Sequence, residues 1–170
     1  MSITETLSPA LPTSIEELAE QVLRTACDKE LMLATAESCT GGLLASLLTD
    51  VSGASHAFER GFVTYSERSK CELLGLAAET IDRCGVVSSD VAVGMADGAL
   101  AVSKADVAVS VTGYAGSAPD SEEPGLVYIA CARRGRPTEH REEHFGDVGR
   151  GQVRIETIRV ALEMLEQALA

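Results

Sequence analysis

Residues 31–44 read LMLATAESCTGGLL and combine a short apolar run, a polar turn and the start of an apolar periodic stretch. This order predicts a strand, a tight turn and a helix. The first backbone N–H groups of such a helix have no partner within it and carry the positive end of the helix dipole, so they stabilise anions and developing oxyanions. Residues 38–40 place two hydroxyls and a thiol at this turn, and the two glycines that follow let a ligand approach the backbone. The same residues also fit a plain helix cap.

Length and charge narrow the class of protein. The chain has 170 residues, of which 45% are apolar and 24% are charged, and this fits one globular domain with a full core. Its formal net charge is −12. Binding to nucleic-acid phosphates needs clustered Lys and Arg, and only 14 are present, so we expect no nucleic-acid partner. A small anionic ligand remains compatible, because one or two local cations can override the global field.

The cysteines and the N-terminus indicate the compartment. Five cysteines, an odd number with no C-x-x-C pair and no zinc spacing, are typical of reduced thiols in a cytosolic protein. Residues 1–14 lack the basic and apolar regions of a signal peptide. No apolar run approaches the roughly 20 residues that cross a bilayer. We therefore expect a cytoplasmic protein with no membrane contact, and the sequence leaves monomer and homodimer open.

Helical and strand patterns alternate along most of the chain. Residues 1–13 contain two prolines and no periodicity, which predicts a flexible N-terminal arm followed by a single domain at 14–170. The expected strands lie at 31–36, 58–65, 106–111, 126–133 and 138–145. The expected helices begin at Ser14, Leu43, Ser66, Ala78, Ser88 or Ser89, and Arg150. The helix that Ser88 or Ser89 caps is expected to run to about Lys104. The last two strands are adjacent, so this alternation predicts a layered α/β domain with a mixed sheet.

Polar side chains follow three of the expected strands. Glu37 and Ser38 follow the first strand, Tyr65 ends the second, and Thr112 and Gly113 follow the third. Ligands of α/β sheets bind outside the carboxyl ends of parallel strands. If these three strands are parallel, the polar groups converge at one candidate site.

Lys70 follows Tyr65 on the next helix and is close enough in sequence to reach the same crevice. A serine beside a lysine is a recognised pair of nucleophile and base. The lysine must then be neutral, which requires its pKa to fall from about 10.4 toward ~7–8 through burial or a neighbouring cation. Two alternatives stay open. Lys70 fits a solvated helix lysine paired with Glu67 or Glu72, and Cys39 fits a nucleophile at a helix N-terminus, where the pKa of a thiol falls.

The histidines give little indication of a metal site. His140 and His144 are four residues apart, but their segment is expected to be extended rather than helical. The carboxylates are numerous and are expected to be mostly solvated. The sequence therefore predicts no metal.

Six segments carry a resemblance that spans residues 14–168. They read TAESCTGG at 35–42, RGFVTYS at 60–66 followed by Lys70, LLG at 73–75, VS at 87–88, VSVTG at 109–113 and GRGQVR at 149–154. In this order they closely resemble the CinA C-terminal-domain family, the nicotinamide mononucleotide amidohydrolases.

The resemblance implies a three-layer α/β/α domain with a mixed, mostly parallel sheet. It also implies hydrolysis of the carboxamide of nicotinamide mononucleotide to nicotinic acid mononucleotide and ammonia, with no cofactor. Ser38 would be the nucleophile, and Lys70 and Tyr65 would assist it. N–H donors near the start of the second helix would face either the oxyanion or the 5′-phosphate. The implied substrate-binding residues are Thr40, Gly41, Gly42, Thr112, Gly113 and Arg150.

One loop departs from the family pattern. Residues 113–125 read GYAGSAPDSEEPG, whereas the family has a glycine-rich stretch and a lysine here. Asp120, Glu122 and Glu123 would repel a phosphate. Two alternatives therefore accompany the amidohydrolase: a nucleotide- or partner-binding module without turnover, and an amidase that acts on another substrate.

Overall fold

The computed structural model describes residues 11–170, which form six helices and five strands. The elements are α1 Thr13–Asp28, β1 Leu33–Glu37, α2 Leu43–Asp50, β2 Phe58–Val63, α3 Glu67–Leu74, α4 Ala78–Cys84, α5 Ser89–Ala101, β3 Val107–Gly113, β4 Leu126–Arg133, β5 Glu139–His144 and α6 Arg150–Leu169. Residues 1–10 of the predicted arm lie outside the described residues. Leu11 is buried in the core, and α1 begins at Thr13.

The five strands form one sheet in the order β2-β1-β3-β4-β5. β1 runs parallel to β2 and β3, while β4 runs antiparallel to β3 and β5. Four of the five strands therefore point in the same direction. A short turn joins β4 to β5, and such a connection allows only antiparallel pairing. The mixed, mostly parallel sheet is confirmed.

Alternate side chains of the central strands form two apolar layers. Val107, Val109 and Val111 of β3 pack in a cluster with residues of α1, α2 and α6. Ala108, which points to the other face, packs in a second cluster with residues of α3, α4 and α5. The sheet thus lies between two helical layers, and the predicted three-layer α/β/α domain is confirmed.

The C-terminal end of α5 differs from the end predicted from the sequence. Its start is as expected, because Ser88 Oγ accepts the N–H of Val91 at 3.3 Å. Its end lies at Ala101, three residues before the predicted end. Arg134 of the β4–β5 turn donates to the carbonyl oxygens of Leu100 and Ser103. These bonds hold the end of the helix from a segment that is distant in sequence.

The carboxyl ends of β1, β2 and β3 meet at one edge of the sheet. Glu37 is in register with Val63 of β2 and with Val111 of β3. The residues that follow these positions therefore lie side by side, and the predicted convergence of the strand ends is confirmed. The first turns of α3 and α6 bring further side chains to the same edge. Within the described range no helix is both long and apolar enough to span a bilayer.

Candidate active site

The site is built around a contact between Ser38 and Lys70. Lys70 Nζ lies 3.1 Å from Ser38 Oγ and donates to the carbonyl oxygen of Thr64 at 2.6 Å. Ser66 caps α3 by accepting the N–H of Ser69, so Lys70 sits on the first turns of that helix and reaches back to the strand ends. The structure brings the predicted serine and lysine together.

Lys70 is fully buried, with 0% of its surface exposed. The alternative of a solvated helix lysine is therefore wrong. Burial lowers the pKa of the Lys70 ammonium group, because a charged group loses its hydration inside the protein. A lowered pKa increases the neutral fraction of Lys70 near pH 7, and only the neutral amine can accept a proton from Ser38.

Ser38 opens onto a cavity of about 250 Å³. Its backbone N–H donates to Val111 O at 3.1 Å, which fixes the serine at the end of β1. The cavity is lined by Ser38, Cys39, Tyr65, Val86, Val87, Thr112, Gly113, Tyr114, Ala115, Gly116, Ser117 and Arg150. A cavity of this size beside a buried serine–lysine contact fits a small molecule.

Tyr65 and Arg150 form one rim of the cavity. Arg150 Nη2 donates to Tyr65 Oη at 3.2 Å, although Tyr65 is 65% exposed. A Cβ atom at Gly116 would lie 3.2 Å from Arg150 Nη1, so the glycine lets the loop approach the guanidinium closely. Arg150 therefore stands between Tyr65 and the 113–125 loop. It presents a cation to the cavity.

Thr112 and Gly113 shape the floor of the cavity. Thr112 Oγ1 donates to Val86 O at 2.9 Å and so holds the segment at residues 86–87 against the cavity. A Cβ atom at Gly113 would lie 2.6 Å from a methyl group of Val127, which leaves no room for a side chain. Both residues line the cavity, as predicted from the strand ends.

Glu37 occupies the N-terminus of α2, although this helix start was expected to receive a substrate anion. The Glu37 side chain is fully buried. Its carboxylate accepts hydrogen bonds from the Thr40 hydroxyl at 2.7 Å and from backbone N–H groups at Gly42 (3.1 Å), Leu44 (3.1 Å) and Ala45 (2.8 Å). A protein carboxylate thus takes the donors and balances the positive end of the helix dipole.

The polar groups of Thr40, Gly41 and Gly42, which are predicted to bind substrate, have partners within the protein. The Thr40 hydroxyl and the Gly42 N–H donate to Glu37, and the Gly41 N–H donates to Ser38 O at 3.1 Å. These donors are therefore already bonded within the protein, and the three residues are not among those that line the cavity. Cys39, the residue after Ser38, lines the cavity.

The Cys39 thiol itself is a poor candidate nucleophile. Burial raises the pKa of Cys39 to about 12, so the group stays a thiol at neutral pH. A thiol attacks far more weakly than a thiolate. The structure therefore favours Ser38 over Cys39 as the nucleophile.

Arg154, for which the sequence predicted no role, binds the turn that follows Ser38. Arg154 Nη2 donates to Thr40 O at 2.6 Å across a sequence distance of more than a hundred residues. The signal was present in the GRGQVR segment, where Arg154 lies one helical turn after Arg150. Arg150 and Arg154 lie one turn apart on α6. Arg150 lines the cavity, and Arg154 binds the turn that follows Ser38.

His140 and His144 lie away from this site on β5. His144 hydrogen-bonds Glu123 at 2.8 Å and Glu142 at 3.0 Å. Across residues 11–170, no group of three or more His, Cys, Asp and Glu side chains is arranged to hold a metal ion.

The amino-acid sequence is similar to those of known proteins. The chain is 43% identical over 158 residues to the nicotinamide-nucleotide amidohydrolase PncC of Escherichia coli strain K12, covering 91% of this chain and 94% of that protein. It is 40% identical over 156 residues to a competence-damage inducible protein of Caldicellulosiruptor saccharolyticus, which is longer than this chain. The chain spans 38% of the length of that relative.

Solved structures and the family pattern agree. The crystal structure of the competence/damage inducible protein CihA from Agrobacterium tumefaciens matches with a TM-score of 0.91 and 43% identity, covering 94% of this chain and 98% of that chain. A CinA superfamily protein from Escherichia coli matches with a TM-score of 0.85 and 34% identity, covering 90% of this chain and 89% of that chain. The family model of the CinA C-terminal domain matches residues 15–169. The chain therefore belongs to the CinA C-terminal domain family.

Proposed function

We propose that the protein hydrolyses the carboxamide of nicotinamide mononucleotide and releases nicotinic acid mononucleotide and ammonia. The observation that carries the proposal is the buried contact of 3.1 Å between Lys70 Nζ and Ser38 Oγ at the cavity wall. The 43% identity to PncC, a protein named for this activity, supports the choice of substrate. A binding module needs no buried amine beside a serine hydroxyl, so the pair favours catalysis.

The first half of the reaction forms an ester on Ser38. Neutral Lys70 accepts the hydroxyl proton while Ser38 Oγ bonds to the carboxamide carbon, and the carbonyl oxygen becomes an oxyanion. The N–H of Cys39, the residue after the nucleophile, is the donor we assign to that oxyanion. The carbon–nitrogen bond then breaks, and Lys70 returns its proton to the leaving nitrogen, which departs as ammonia.

The second half regenerates the enzyme. A water molecule gives a proton to Lys70 and bonds to the ester carbon, and the bond to Ser38 Oγ then breaks. The serine recovers its proton from Lys70, and the product leaves as a carboxylic acid that ionises in water. Tyr65 Oη, held by Arg150 at 3.2 Å, is placed to orient the reacting group at the rim.

Arg150 is the residue we assign to the 5′-phosphate. A guanidinium binds a phosphate through two parallel N–H donors, and Arg150 lines the cavity. The backbone N–H groups of Gly42 and Leu44, at the start of α2, donate to Glu37. They are therefore not available to bind the phosphate. Thr112 and Gly113 complete the cavity wall on the side of β3.

We place the reaction in the cytoplasm. The five cysteines, all of them in the described part of the chain, are free. Free thiols persist in a reducing compartment, whereas secreted proteins usually pair them.

The test is ammonia release from nicotinamide mononucleotide by the purified protein, with Ser38→Ala and Ser46→Ala compared in the presence of EDTA. Ser46 lies on the exposed side of α2, so its variant controls for loss of a serine near the site. We expect turnover in the wild type and in Ser46→Ala, and none in Ser38→Ala. Release that persists in Ser38→Ala would remove the nucleophile. Binding without release by the wild type would make the protein a binding module.

A further inference from the structure

Tyr114 lies at the start of the 113–125 loop and lines the cavity. It follows β3, whereas Tyr65 follows β2, so the two tyrosines flank Ser38 on the neighbouring strands. The backbone of Tyr114 is held on both sides. Its N–H donates to Leu126 O at 2.9 Å, and its carbonyl accepts the N–H of Gly125 at 2.8 Å. The backbone of this aromatic residue is therefore fixed at the cavity wall.

Charges of both signs lie near the cavity. Arg150 supplies a cation beside Tyr65. Burial, and to a smaller extent the charge of Glu122, raises the pKa of the Tyr114 phenol. The N–H of Glu122 donates to Pro119 O at 2.8 Å and fixes the turn that carries it. The cavity lining thus contains the cation of Arg150 and an aromatic residue, Tyr114, that interacts with the charge of Glu122. Such a lining fits a ligand that carries both a negative and a positive charge.

We propose that Tyr114, supported by Glu122, selects a substrate whose reacting ring carries a positive charge, namely an N-alkylated pyridinium. The face of an aromatic ring attracts a cation placed over it, and a nearby carboxylate adds to that attraction. This inference rests on the proposed function, because nicotinamide mononucleotide combines such a ring with a phosphate. Glu122, which would repel the phosphate, favours the cationic ring through Tyr114.

A pair of ligands that differ in ring charge separates this effect from simple stacking. Nicotinamide mononucleotide has a cationic ring, whereas its reduced dihydropyridine form has an uncharged ring of nearly the same size. Stacking acts on both rings, but the attraction between a cation and an aromatic face acts only on the first. We expect the protein to bind the cationic form about fivefold more tightly.

The experiment is calorimetric titration of the Ser38→Ala protein with both forms, so that neither ligand turns over. Tyr114→Leu in this background should bring the preference for the cationic form close to onefold, whereas Tyr114→Phe should keep it. Glu122→Gln should lower the preference to about half of its original value. Circular dichroism checks that each variant is folded, and Glu122→Gln tests the inference even where Tyr114→Leu fails to fold.

Two results would overturn the inference, and they have different meanings. If the Ser38→Ala protein binds both forms equally, or if Tyr114→Leu keeps the full preference, Tyr114 does not select for charge and the proposed amidohydrolase still stands. If the Ser38→Ala protein binds neither form, the proposed function fails together with this inference.

Discussion

At the scale of the residue, Lys70 must lose its charge for the proposed reaction to occur. Burial lowers the pKa of Lys70, so the neutral amine persists to a lower pH than for an exposed lysine. Below that pKa, kcat/KM should fall about tenfold for each pH unit, because only the neutral amine accepts the proton of Ser38. Lys70→Arg should cost at least about 100-fold in kcat, since a guanidinium stays charged and cannot act as a base. Ammonia release measured from about pH 6 to about pH 10 checks both expectations.

Lys104→Arg is the matched control for this residue, because Lys104 is exposed and lies outside the cavity lining. Its activity should equal that of the wild type. Activity that falls rather than rises as the pH increases over the same range, or a loss of tenfold or less in Lys70→Arg, would mean that Lys70 acts through its positive charge rather than as a base.

At the scale of the element, the start of α2 depends on Glu37. Its fully buried carboxylate accepts hydrogen bonds from three backbone N–H groups and from the hydroxyls of Thr35 and Thr40. Glu37→Gln keeps the shape but turns an amide NH₂ toward some of those donors, so we expect it to lower the free energy of unfolding by about 2–3 kcal/mol. The turn that carries Ser38 should loosen as well and lower kcat. Urea unfolding and ammonia release measure the two effects.

Glu79→Gln is the control for this change. Glu79 is also an acidic residue in the first turn of a helix, but its side chain is exposed on α4. Its loss of stability should stay below about 1 kcal/mol, the usual value for a charge at an exposed helix N-terminus. Equal losses in the two variants would show that Glu37 acts only as an ordinary helix charge.

The elements also show where prediction from sequence ends. Strand and helix periodicity predicted the alternation of elements, and the polar residues at strand ends predicted where Ser38 and Thr112 would meet. The cap of α2 escaped prediction because local cap patterns place the acceptor at the residue before the helix, whereas Glu37 reaches forward from inside a strand. The sequence left the burial of Lys70 open, because that burial depends on how α3 packs against the strand ends.

At the scale of the whole molecule, the net charge of −12 opposes the approach of a substrate with net negative charge. Raising the ionic strength from about 0.01 M to about 0.15 M shortens the screening length from ~30 Å to ~8 Å, which removes the distant repulsion but leaves a direct contact with Arg150 largely intact. KM for nicotinamide mononucleotide should therefore fall by about twofold over this range. Nicotinamide riboside, which keeps the cationic ring and lacks the phosphate, should show the opposite trend and bind more weakly as salt rises. If KM for the nucleotide instead rises with salt, the attraction of Arg150 outweighs the field of the whole chain, and the acidic surface has no part in selecting the substrate.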